Sequence, residues 1–192
     1  MQKEYVILSN DTVSLEPITR EHIEELKYLG GDPDMWRWFT ADLTEPKDLE
    51  EWMMARFNES EAKDKMTFAV RLKKTGRLVG SSSYGHIDWK EKSLEIGWTW
   101  IAADYIGKGI NKHMKFLMLS HAFENLDIER LELRTDEINI RSRKAIEKIG
   151  AQLDATLRSH RYTRGDRRRN TVVYSIIKDE WPEIKRTIFK EF

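Results

Sequence analysis

A chain of 192 residues, 40% apolar and 34% charged, has the size of one domain and can bury a core without covalent staples. Its 33 basic and 33 acidic residues cancel, so no global field draws it to nucleic acid or to an acidic membrane surface. It contains no cysteine, which excludes disulfides, thiolate metal sites and a cysteine nucleophile.

The opening segment through Pro17 has no apolar core behind a basic flank, and so does not read as a secretory signal. No stretch approaches the roughly 20 apolar residues of a membrane span. Without repeats or Gly/Ser-rich linkers, the expectation is a single soluble domain over residues 1–192, working in the cytoplasm with no membrane partner.

In chain order, Val13–Ile18 reads as a strand, and Thr19 as the N-cap of a helix through about Leu29, ended by Gly30, Gly31 and Pro33. An irregular aromatic segment follows, Met35 to Phe39. Pro46 suits the first turn of a helix to about Ser60. Phe68–Leu72, the turn Thr75-Gly76 and Leu78–Ile87 read as a hairpin. Leu94–Ile101 is apolar on both faces, which predicts a central strand. From about Lys108 to Glu124, Ile110, Met114, Leu117 and Met118 form one buried helical stripe. Leu131–Thr135 is again a strand, and Asn139–Lys148 a helix stopped by Gly150. Two strands, Ala155–Tyr162 and Thr171–Ile177, flank a turn at Gly165-Asp166, and a last helix runs from about Asp179 to Phe192. This order predicts a mixed α/β fold (α+β), with a largely antiparallel central sheet and helices on both faces.

Directly after the third strand stands Asp104-Tyr-Ile-Gly107-Lys-Gly109-Ile-Asn111. Glycines at a strand-to-helix junction let backbone approach a ligand, and the helix start offers free N–H groups and a positive dipole end. Together these suit a diphosphate, with Lys108 and Lys112 adding charge nearby. A plain turn explains such a Gly-x-Gly equally well. Neither GxxxxGK[ST] nor GxGxxG occurs, which counts against triphosphate and dinucleotide sites.

Three matches in order carry a resemblance: Ser93-Leu-Glu95-Ile-Gly97-Trp98, the loop Ile106 to Asn111, and Asn139-Ile-Arg-Ser142 through Ile146 to Gly150. Residues 95–150 thereby resemble the GCN5-related N-acetyltransferase superfamily, in particular the branch of bacterial acetylases of ribosomal-protein N-termini. Ile106 and Asn111 depart from that family's usual loop residues. The resemblance implies an acetyl-CoA-dependent N-acetyltransferase working by direct transfer to a primary amine, on a protein N-terminus or a small molecule. It implies that Ile106, Gly107, Lys108, Gly109, Ile110 and Asn111 hold the acetyl-CoA pyrophosphate. Thr99, Trp100 and Ile101 would follow its pantetheine arm, joined by Asn139 and Ser142. A homodimer is a further expectation from the relatives.

An amine attacks a thioester only when neutral, so a base is needed. Glu95, flanked by Leu94, Ile96 and Trp98, is the candidate, since a desolvated carboxylate suits proton abstraction near neutrality. A solvent-facing Glu is the plainer reading. The resemblance places an oxyanion donor at a backbone N–H near Thr99. The family's proton-donating Tyr is Ile146 here, which leaves Ser142 to donate to, or merely orient, the leaving sulfur. Asn139 is equally a good helix cap. Trp36, Trp38 and Phe39, with Tyr84 and Trp98, are candidate acceptor-binding residues, although core packing suits any one of them.

Between Arg158 and Asn170 lie six arginines and one aspartate, expected at a solvated hairpin tip. Asp42 to Asp64 holds eight acidic and three basic residues, and would favour a cationic acceptor if that helix bordered the cleft. The five histidines lack ligand spacing, so no metal is expected. Two other readings stay open: a non-catalytic acyl-CoA-binding module, and an RNA- or ribosome-binding protein using the arginine hairpin. Nucleic acid is the less favoured partner.

Overall fold

A computed structural model describes residues 6–192. They form β1 (Leu8–Ser9), β2 (Val13–Pro17), α1 (Arg20–Leu26), α2 (Pro46–Glu61), β3 (Met66–Leu72), β4 (Leu78–Asp88) and β5 (Ser93–Ile101). Then come α3 (Ile110–Ser120), β6 (Arg130–Asp136), α4 (Ile140–Glu147), β7 (Gln152–Tyr162), β8 (Arg168–Ile177) and α5 (Trp181–Ile188). The sheet order is β1-β2-β3-β4-β5-β6-β8-β7, antiparallel throughout except between β5 and β6. The mixed, largely antiparallel architecture is the one the sequence predicts.

Alternation along the strands divides the apolar residues between two faces. On β3, Phe68 and Val70 join the core beneath α3 and α5, while Ala69 between them joins the core beneath α1 and α2. The local signals explain most element ends. Thr19 accepts a hydrogen bond from the His22 N–H at 3.3 Å, and the His22 ring accepts from the Thr19 N–H at 3.2 Å, closing a reciprocal cap. The helix expected from Lys108 starts instead at Ile110, because Gly109 stands in the left-handed region at φ 80°. It ends at Ser120 and continues as a wider π-type turn, His121–Asn125. β7 begins at Gln152, ahead of the expected Ala155, and a register shift between Leu153 and Ala155 breaks the alternation there. The last helix is shorter than expected, but its tail packs on this chain: Phe189 is buried, and the Phe192 ring stacks on Phe116 at 4.5 Å.

Gly150 stops α4 at φ 92°, where an added Cβ would lie 2.9 Å from Ile184 on α5. Gly150→Ala therefore combines left-handed strain with a clash, and should cost about 1–3 kcal/mol, read as a lower denaturation midpoint.

One feature of the sheet positions the site. β5 and β6 pair only at Ser93–Arg130, Leu94–Leu131 and Glu95–Glu132. Beyond Glu95 they separate, leaving an opening between the two central strands. Trp98 stands there at φ 51°, so the alternation of β5 is interrupted within the opening.

Candidate functional site

A cleft of about 840 Å³ occupies this opening. Its walls are the second half of β5, β6, the start of α3, α4, the aromatic segment after α1 and the β7–β8 hairpin. At the α3 end, Gly107 and Gly109 adopt φ 79° and 80°, with nothing within 4 Å of where a Cβ would stand. No side chain caps α3; the Lys112 N–H bonds the Gly109 carbonyl at 2.9 Å, which leaves the N–H groups of Ile110 and Asn111 at the helix start to meet a ligand. Ile106, Gly107, Gly109, Ile110 and Asn111 line the cleft. Lys108 does not: its ammonium lies over the Tyr105 ring at 5.3 Å. Lys112 is held by Glu191.

Glu95 sits where β5 and β6 part, only 8% exposed. Its surroundings are not the apolar ones its sequence neighbours suggest. His86 Nδ1 lies 2.9 Å from its carboxylate and the Arg134 guanidinium 3.4 Å. The His86 side chain is 55% exposed, so the pair reaches from a buried oxygen to water. His86 is on β4 in a backbone with φ 48°, at a register shift between Gly85 and Asp88. No pattern along the sequence joins it to Glu95.

Thr99 lies farther along β5. Its hydroxyl is 2.7 Å from that of Ser82 and accepts a hydrogen bond from Lys115 Nζ at 2.9 Å. Lys115, on α3, lines the cleft and is 5% exposed. Burial pushes its ammonium down to about 7. Among the described residues no carboxylate pairs with it. Sequence reading missed it because the apolar stripe of α3 passes on either side. Trp100 and Ile101 line the same wall, with the Trp100 indole N–H buried and unpartnered.

Across the opening, Asn139, Ser142 and Ile146 line the α4 wall. Asn139 Oδ1 accepts from the Ser142 backbone N–H at 3.1 Å, so the residue is the N-cap of α4 as well as part of the cleft. Of the five aromatic candidates, Trp38, Phe39 and Trp98 line the cleft, joined by Trp52 of α2. Trp36 and Tyr84 do not. Both are fully buried: Trp36 donates to the Gly30 carbonyl at 2.7 Å, and the Tyr84 hydroxyl to the Met118 carbonyl at 2.6 Å. A large ring with one polar atom is well satisfied in such a place.

Two charge readings change. The acidic stretch does not supply the cleft: Glu50 pairs with Lys27 at 3.1 Å and Glu51 faces Lys47, while α2 presents Trp52 and Arg56. Nor is the arginine hairpin a solvated tip alone. Arg164 pairs with Asp42, Arg167 with the buried Asp136, and Arg161 and Arg169 line the cleft. No helix of the described residues is long and apolar enough to cross a membrane.

The family model describing an acetyltransferase (GNAT) domain matches residues 12–152. YdaF of Bacillus subtilis (strain 168), a provisionally named ribosomal N-acetyltransferase, is 33% identical over 106 residues, which are 55% of this chain and 57% of that protein. A crystal structure of a GCN5-related N-acetyltransferase from Brucella melitensis superposes with a TM-score of 0.88 at 25% identity, over 99% of this chain and 86% of that one. The ribosomal L7/L12 α-N-protein acetyltransferase RimL, solved with coenzyme A, gives 0.77 at 18% identity over 91% and 99%, a likeness of fold. The glycine loop at the head of α3, the opening between β5 and β6 and a family match over most of the chain agree: this protein belongs to the GNAT acetyltransferases.

Proposed function

We propose that the chain transfers an acetyl group from acetyl-CoA directly to a primary amine, with both substrates bound together in the cleft. The observation that carries this is the placement of Glu95, buried where the central strands part and linked through His86 to water. The open glycine loop and the uncapped start of α3 suit the pyrophosphate, and the gap between β5 and β6 suits an extended arm. The cosubstrate supplies the thioester carbonyl. Glu95 accepts the proton of the incoming amine and passes it toward His86 and solvent. A backbone N–H near Thr99 meets the charge that develops on the carbonyl oxygen. Ser142, which lines the cleft beside Ile146, orients the departing sulfur, which leaves as the CoA thiolate and takes its proton from solvent. Trp38, Phe39 and Trp98 bracket the acceptor.

Thiol release from acetyl-CoA over a panel of primary amines tests this. Turnover with one amine class is the expected result. A rise in melting temperature with CoA but no turnover on any amine would favour a binding module. Absence of both would remove the reading. The RNA-binding alternative loses support because four of the six hairpin arginines are paired with acids or line the cleft.

A further inference from the structure

Given the transferase reading above, on which this inference rests, the charge of the cleft bears on which amine is accepted. Among the described side chains lining the cleft, Glu95 is the sole carboxylate, against five arginines, Arg56, Arg134, Arg141, Arg161 and Arg169, and the buried amine of Lys115. Two of these form an unfavourable pair. Arg161 on β7 stands directly opposite Arg169 on β8, and like charges facing each other across a ladder destabilise it. Arg169 is half-buried, with its Nε donating to the Thr171 hydroxyl at 2.9 Å. Among the described residues neither guanidinium has an ion-pair partner. The acids nearby are already engaged, Asp136 by Arg167 and Glu95 by Arg134 and His86. Burial and then the Arg161 charge pull Arg169 below the ordinary guanidinium value, and His160 is lowered by burial and then by both arginines.

The Arg161–Arg169 pair does not belong to the pyrophosphate end, since Arg169 lies close enough to Glu95 for the two charges to interact. Glu95 and Ile101 are separated by six residues of strand, roughly 20 Å, and the glycine loop lies beyond Ile101. The wall is also held in place. The Arg164 N–H donates to the Phe39 carbonyl at 3.3 Å and its guanidinium pairs with Asp42, which ties the hairpin to the aromatic segment at the acceptor end. A cationic pair, half-buried at Arg169 and exposed at Arg161, with no counter-ion of its own among the described residues and beside the candidate base, is suited to an anion brought by the substrate.

We propose that the acceptor carries an acidic group, a carboxylate or a phosphate, a few atoms from its amine, and that Arg161 and Arg169 hold this group while the amine faces Glu95. The test compares three amidated peptides with free N-termini, Ala-Asp-Asp-Ala, Ala-Asn-Asn-Ala and Ala-Lys-Lys-Ala, and the pair O-phosphoethanolamine and ethanolamine. The acidic member of a series should exceed its neutral counterpart in kcat/KM by about tenfold or more, the value of one well-placed ion pair. Which series does so separates carboxylate from phosphate. In Arg161→Gln/Arg169→Gln the ratio should fall to within about twofold of unity. Equal or better use of the neutral or lysine-bearing acceptor, or a preference that survives the double variant, overturns the proposal. Titrating the same probes into CoA-saturated protein, followed by tryptophan fluorescence, reads the same preference as binding, without turnover. A wild type that shows no thermal shift with CoA would count against the transferase reading instead.

Discussion

Glu95→Gln should lower kcat/KM for the preferred amine by at least tenfold, and a fall within the 10²–10⁴ range typical of a lost general base is expected. The substitution keeps the side chain's volume and a hydrogen-bonding oxygen near His86, but removes the proton acceptor. Arg134 still has Glu132, whose carboxylate lies 2.7 Å away, so no buried guanidinium is left unpaired. The fold should therefore persist. The KM for acetyl-CoA should hold, because the glycine loop lies roughly 20 Å along β5 from the substituted carboxylate. Steady-state thiol release at several pH values checks this. Wild-type turnover in the variant would place the base elsewhere in the cleft, and an equal loss in acetyl-CoA affinity would mark Glu95 as structural.

The second large effect concerns stability. Lys115 is a buried amine whose Nζ bonds to Thr99 and, among the described residues, has no carboxylate partner; burial pushes it down to about 7 from an ordinary 10.5. A charge held in such a place weakens the fold unless a ligand compensates it. Lys115→Met keeps the length of the side chain and removes the charge, so the unliganded variant should be more stable at pH 6 by about 1–4 kcal/mol. The sign of the pH dependence follows from which state binds more protons. Below about 7 both folded and unfolded chains carry the ammonium, and the full penalty is present. Between about 7 and 10.5 the folded chain has released the proton while the unfolded chain retains it, so wild-type stability gains with rising pH relative to the variant. Urea denaturation of both proteins from pH 6 to 10 should show the gap narrowing. A gap that is absent, or constant with pH, would mean that the amine is solvated in the folded protein.

Both predictions turn on residues of the same short stretch of β5 and its surroundings, and the sequence showed only part of it. The hairpin at Thr75-Gly76, the cap at Thr19, the glycine loop before α3 and the stop at Gly150 could be read because their signals lie within a few residues of each other. The apolar run Leu94–Ile101 likewise announced a central strand, since burial on both faces leaves its mark on every position. Three motif matches in order were enough to indicate the family, and the match over residues 12–152 agrees.

What surrounds Glu95 was not legible in this way. His86 meets it through a register shift and a positive φ at a non-glycine residue, and neither has a local signature. Arg134 reaches it from a strand paired in parallel after the α3 crossover. Lys115 lies outside the apolar stripe read along α3, and its burial follows only from β5 bringing Thr99 to its amine. The acidic run of α2 and the arginine run of the hairpin were visible as composition, yet their roles reversed, because charge counts say nothing about which side chains a cleft turns inward. Composition, periodicity and short-range caps determined the elements, their order and the loop at the head of α3. The partners of Glu95, the buried amine of Lys115 and the cationic wall of the cleft were decided by strand register and packing, because contacts between residues tens of positions apart exist only once the sheet has closed.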